Sequence, residues 1–185
     1  MAACDPLRVT PLSQIARLHL WLGQPAEAVR HATAVLERVD DYIMPQALVM
    51  GLAFSGDAEG AERAAARHIR NEDELLLARA LSAAIRGDGD ASAAHQQAYL
   101  GKHGPDDAWS LILEALRGNR NEANRLAAAI DARPFGHVVL LDSIFMCFCG
   151  APFDLKATPV FAAMLAESGL AWPPARPYDL PLKDW

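Results

Sequence analysis

Glycine recurs in this chain at a fixed interval from itself and at a fixed distance from a small residue. Gly23, Gly56 and Gly89 are equally spaced, and each precedes an alanine by five: Ala28, Ala61 and Ala94. Gly118 follows Gly89 after a slightly shorter interval and again precedes an alanine, Ala123, by five. Gly150 comes after an interval close to the first two. A period of about 20–50 residues marks a chain built from one supersecondary unit used several times.

The residues around each glycine say what the unit is. An apolar stretch leads into the glycine, as in Leu12–Gly23 and Ala53-Phe-Ser-Gly56, and an Ala-rich stretch follows it. Glycine just past a helix end takes the left-handed conformation that closes a C-cap. Asp57, Asp90 and Asn119 or Asn121 then stand where an N-cap is expected. The alanine five residues on falls inside the second helix, where a small side chain lets two antiparallel helices approach closely. Thr10-Pro11 and Thr158-Pro159 each place a capping hydroxyl before a proline at the first helical position. Asn71-Glu-Asp-Glu74 has the form of a capping box. Trp109, Ile112, Leu113 and Leu116 fall on one helical face.

These signals predict helices over 11–22, 25–38, 43–55, 58–70, 73–86, 91–102, 106–117, 120–132, 136–148 and 159–168. The composition agrees: 36 of the 185 residues are alanine and three are threonine, which favours helix over strand. The expected fold is all-α, with a repeat domain over 1–168 and a Pro-rich segment over 169–185. Four prolines in that segment exclude a regular helix. Its Trp172, Tyr178, Leu180, Leu182 and Trp185 predict an extended tail packed on the helices.

The pattern resembles the tetratricopeptide repeat (TPR) family. The resemblance rests on the pairs Gly23/Ala28, Gly56/Ala61, Gly89/Ala94 and Gly118/Ala123, and on small residues at Ala16, Ser82, Ala65, Ala98 and Ala127. It covers roughly residues 10–168. It implies a right-handed α-solenoid of about five antiparallel helix pairs. The chain departs from the family where an aromatic usually follows the turn: Pro25, Ala58, Ala91 and Arg120 stand there. Asp40 and Asp73 replace the proline that often closes a unit. The repeats are degenerate, which leaves a related helical repeat or a non-repeating bundle as alternatives. The end of the chain, from Phe161 on, also resembles the tails of bacterial repeat proteins of this kind.

The resemblance implies a protein-binding scaffold whose first helices line a groove. Mapped onto this chain, the groove positions are Ser13, Arg17, Leu20 and Trp21, then Gln46, Met50, Ala53 and Phe54, then Arg79 and Arg86. Of these, Arg17, Trp21, Gln46, Met50, Phe54, Arg79 and Arg86 are the candidate partner-binding residues. Apolar anchors would supply affinity and arginine would fork onto a carboxylate. The Lys and Asn set with which some members hold a peptide's terminal carboxylate does not occur here. The competing reading is that Trp21 and Phe54 pack helices together.

Other chemistry finds little support in the sequence. Net charge is −6 and the basic residues are scattered, so neither nucleic acid nor an acidic membrane surface is an expected partner. Cys147-x-Cys149 with His137 upstream is not a four-ligand zinc pattern, and two residues apart on a helix the two thiols diverge. Core packing is the expectation for both. The acidic pairs Asp40-Asp41, Glu72–Glu74 and Asp106-Asp107 sit at helix starts, where they complement the helix dipole. No catalytic group, metal site or cofactor is expected, and neither is an enzyme. The apolar run around Val138–Cys149 is shorter than the roughly 20 residues that span a bilayer. With three cysteines and no leader pattern at the N-terminus, a cytoplasmic location is expected. The near-continuous apolarity of 138–148 predicts burial on several sides, by the last helix and the tail or by a second copy. A homo-oligomeric structural module, associating through that unit or the tail, is therefore the alternative to a peptide-binding adaptor.

Overall fold

The computed structural model describes residues 15–20, 22–37, 44–147 and 151–172. Among them the chain is all-α, without a strand. The elements are α1 (15–20), α2 (Pro25–Leu36), α3 (Met44–Phe54), α4 (Ala58–His68), α5 (Glu72–Ile85), α6 (Gly89–His103), α7 (Asp107–Arg117), α8 (Arg120–Asp131), α9 (Gly136–Cys147), a 3-10 turn (Leu155–Ala157) and α10 (Pro159–Glu167). From α2 onward, every helix lies within two residues of its sequence expectation. No helix among the described residues is long and apolar enough to cross a membrane.

The turns explain the repeat. Gly23, Gly56, Gly87 and Gly118 all have a left-handed backbone, with φ between 71° and 81°. Each closes the preceding helix through the same two bonds. The glycine N–H donates to the carbonyl three residues back, and the next N–H donates to the carbonyl five back: Gly56 to Ala53 and Asp57 to Leu52, for instance. This is the Schellman closure, which satisfies carbonyls that the helix end leaves open. In the same units, side chains three and seven residues before the glycine are buried, as are those five and nine after it. They are Leu20, Ala53, Ala84 and Ala115; Ala16, Val49, Ala80 and Leu111; Ala28, Ala61, Ser92 and Ala123; and Ala32, Ala65, Gln96 and Ala127. None is more than 6% exposed.

This register corrects the third unit. The sequence spacing puts the turn at Gly89, with Ala94 and Ala98 inside. The left-handed residue is Gly87, Gly89 opens α6, and Ala94 and Ala98 are exposed. The capping aspartate is accordingly Asp88, whose Oδ1 accepts from the Ala91 N–H at 3.1 Å, and not Asp90. The reason lies in α5. A turn at Gly89 would put Arg86 at the buried position three residues before the glycine, and a turn at Gly87 puts Ala84 there. The intervals Gly23–Gly56, Gly56–Gly87 and Gly87–Gly118 become nearly equal, and the third unit carries Ser92 and Gln96 where the others carry alanine. The fifth turn expected at Gly150 lies outside the described residues. An Ala61→Leu substitution is expected to cost roughly 1–3 kcal/mol by overpacking. Ala94→Leu should stay within about 0.5 kcal/mol of wild type. Urea denaturation of both variants tests the register directly.

The chain forms two compact units, Met1–Tyr99 and Leu100–Trp185, and their boundary falls within α6. In the first unit α3 packs against α2, α4 and α5, and α4 against α5. Gly51 of α3 permits the approach to α2, since a Cβ there would meet Val29 at 2.9 Å. The core is mainly alanine, with Val49, Met50, Leu77 and Leu81 as larger members. In the second unit α7, α8 and α9 pack against one another, and α10 and the 3-10 turn pack against α8. Here the core is built from bigger residues, including Leu111, Leu113, Ile130, Leu140, Phe153 and Phe161.

Two side chains on α8 anchor the end of this second unit. Asn124 Oδ1 accepts from the Asp154 N–H at 2.7 Å. The buried Asp131 carboxylate accepts from the N–H groups of Val160 and Phe161, each at 2.9 Å. Thr158 occupies the N-cap position of α10 but makes no side-chain cap bond, and its hydroxyl donates to the Leu155 carbonyl. The capping hydroxyl expected from Thr158-Pro159 is thus replaced by a carboxylate from another helix. Trp172 stacks on Phe153 at 5.1 Å and meets Phe161 edge-on at 5.6 Å. Gly169, Leu170 and Ala171 before it are exposed, and residues 173–185, which hold the rest of the expected packed tail, lie outside the described residues.

Candidate interaction surface

The residues expected to line a groove all belong to the first unit. Arg17 is half-buried on α1, and Trp21 and Ser13 lie outside the described residues. Gln46, Met50 and Phe54 are spaced four apart on α3 and share one face. Gln46 and Phe54 are half-buried, whereas Met50, with Leu20 and Ala53, is core. A buried methionine fills space between helices and offers a partner no surface.

The two arginines of α5 are set by the corrected turn. Gln46 and Ala53 stand ten and three residues before Gly56. The same distances before Gly87 give Leu77 and Ala84, both buried, so Arg79 and Arg86 lie two residues out of register with the α3 positions. Arg79 turns to α4, where its Nε donates to Glu62 Oε1 at 2.9 Å. Arg86 Nη1 donates to Ser82 Oγ at 2.6 Å. Among the described members of the expected set, Arg86 is exposed, Arg17, Gln46, Phe54 and Arg79 are half-buried, and Met50 is core.

The second unit exposes apolar residues at the start of the run 138–148 together with Phe135, which the sequence pattern did not single out. The chain leaves α8 through Ala132-Arg-Pro-Phe135 and enters α9 at Gly136. Phe135 is 77% exposed and holds φ at +61°, the left-handed region that a bulky side chain rarely adopts. Val138 and Val139 follow at i+3 and i+4, also exposed. Of the run 138–148, expected to be buried on several sides, α9 buries Leu140 and Ser143 and leaves Val138 and Val139 open, and the side chains of 144–148 lie outside the described ones. The His137 ring sits at 6.5 Å from that of Phe135, and Arg133 pairs with Asp107 at the start of α7. The signal legible in the sequence was a phenylalanine within a Pro-Phe-Gly turn, where solvent-facing polar residues are usual.

Among the described residues, no three His, Cys, Asp or Glu side chains come together to hold a metal ion. The thiols of Cys147 and Cys149 lie outside the described side chains. No family model, curated protein or solved structure matches the chain.

Proposed function

We propose that this chain is a TPR-like helical-repeat scaffold, a right-handed α-solenoid of degenerate units that binds a partner protein and is not an enzyme. Four turns with one hydrogen-bond scheme and one set of buried small positions support the repeat reading. The single observation that carries binding is Phe135, an exposed aromatic held in a strained conformation beside Val138 and Val139. A left-handed backbone at a non-glycine residue costs of order 1 kcal/mol and concentrates at functional sites. Exposed aromatic anchors dominate binding energy where a partner covers them. Partner contact at Gln46, Phe54 and Arg17 would add a second surface on the first unit.

The same cluster favours a second reading, self-association, because Val138 and Val139 belong to the fifth unit. Phe135→Gly separates these outcomes from a packing role. Glycine relieves the strain, so the variant should be more stable than wild type by about 0.5–1 kcal/mol. Sedimentation velocity and quantitative capture from native lysate would then be compared for wild type, Phe135→Gly and Phe54→Ala. Loss of a heterologous partner only in Phe135→Gly supports the scaffold reading with this surface. Loss only in Phe54→Ala moves binding to the α3 face. Dissociation of a wild-type oligomer supports the second reading. If both variants keep the same partners and mass as wild type, neither surface binds.

A further inference from the structure

The first helix hairpin carries two histidines in contact. His19 of α1 and His31 of α2 stack with ring centroids 5.0 Å apart and planes 12° from parallel. His19 Nδ1 lies 2.7 Å from Gln24 Oε1. An amide oxygen only accepts, so Nδ1 carries the hydrogen and Nε2 is the basic nitrogen. His31 Nε2 lies 3.3 Å from Arg30 Nη2. A guanidinium only donates, so this nitrogen accepts, a role it has only while the imidazole is uncharged. We propose that the His19–His31 stack is an acid-sensitive latch, holding α1 against α2 while the rings are uncharged and loosening when both take a proton.

The surroundings favour release. A proton on His31 Nε2 would place an N–H against the Arg30 N–H and convert an attraction into repulsion. Two imidazolium rings at the observed separation would repel as well. Among the described residues, Glu27 is the one carboxylate facing the pair, and Arg30 already clasps it through Nε at 2.9 Å and Nη2 at 2.5 Å. That bond and the Arg30 charge hold the Glu27 carboxyl below its ordinary range, and its negative charge is matched by Arg30. On α1 the other charged residue is Arg17. On α3, which packs against α2, the sequence from Met44 to Phe54 has no titratable side chain. Burial first, then Arg30 and His19, hold His31 below the ordinary histidine value of 6.5. The unfolded chain therefore takes up this proton at higher pH than the folded one. The contribution to stability is complete above 6.5 and is lost as pH falls through the lowered value.

The test is an NMR titration of the histidine rings in the full chain from about pH 8 to 4.5, with amide exchange followed in parallel. Wild-type His31 should titrate below 6.5, and in His19→Gln its midpoint should move up. Exchange at the 25–36 amides, corrected for its intrinsic pH dependence, should quicken severalfold relative to 120–131 between pH 7 and pH 5, as the folded chain takes up its proton later than the unfolded one. His19→Gln should remove most of that difference. If His19→Gln does not fold, His19→Phe, which keeps a stacked ring without the charge, serves instead, with the same upward shift of His31 expected. A wild-type His31 that titrates at or above 6.5, or curves that superimpose with and without the partner ring, would overturn the latch.

Discussion

Gly136→Ala will lose at least about 4 kcal/mol of folding free energy, an effect at the severe end for one substitution. A Cβ on Gly136 would collide with the carbonyl oxygen of Ile130 and sit 2.8 Å from its carbon. Both obstacles are backbone, so no side-chain rotation relieves them. That carbonyl also accepts from the Arg133 N–H, which holds the turn closed. The chain must therefore reopen the link between α8 and α9 to admit one methyl group. Neighbouring Asp131 would be dragged with it and its bonds to α10 weakened. Urea denaturation should show the midpoint falling by on the order of 1.5 M. Gly101→Ala is the matched control. Gly101 lies within α6 with open space around its Cβ position, and that variant should gain about 0.5–1 kcal/mol. Equal midpoints for the two variants would refute the close approach at Gly136.

Asp131→Ala should cost roughly 3 kcal/mol, because the carboxylate satisfies two N–H groups at the start of α10, one of them on the fully buried Phe161. Each orphaned donor costs about 1–3 kcal/mol, and the anion's attraction to the helix N-terminus is lost as well. For a chain of this length the melting temperature should fall by roughly 10 °C. Exchange of the 159–167 amides should quicken before global unfolding, which identifies the loss as local to α10. Asp131→Asn keeps one acceptor oxygen and should lose about half as much. A melting temperature within about 2 °C of wild type for Asp131→Ala would mean that water caps this helix equally well.

Helices were legible in the sequence because their signals are local. Asn71 accepts from the N–H groups of Asp73 and Glu74, and Asp57 from that of Gly60, as their positions imply. Asp106 likewise caps α7 through the Trp109 N–H. The third turn was misplaced because Gly87-Asp-Gly89 offers two equivalent glycines and two candidate caps. Only the burial register of α5 chooses between them, and register is tertiary. Asn119 shows the same limit. It stands at the N-cap of α8, yet its side-chain amide donates to Glu114 at 2.5 Å, next to the Glu114–Arg117 pair. Asp131 as a cap for α10 was invisible, since donor and acceptor lie on helices far apart in the sequence. Among the surface candidates, spacing could place Met50 and Phe54 on one face of α3. It could not show that the face turns inward at Met50. Phe135 is not legible as a surface residue because a turn's sequence signal is carried by its polar residues and glycine.

The bonds from Asn124 and Asp131 also bear on how this chain can change with time. Both side chains grip the backbone of the segment from Asp154 to Phe161 and no side chain within it. The gripping positions are therefore pinned to residues with a well-placed acceptor. At the gripped positions the side chains of Asp154 and Val160 can be exchanged without touching these bonds. Proline alone is barred there, having no N–H to give. Phe161 is held twice, by its amide and by its ring in the aromatic cluster with Phe153 and Trp172. Substitutions should accumulate unevenly along this stretch, with a fixed clasp on α8 and a loosely specified strap beneath it.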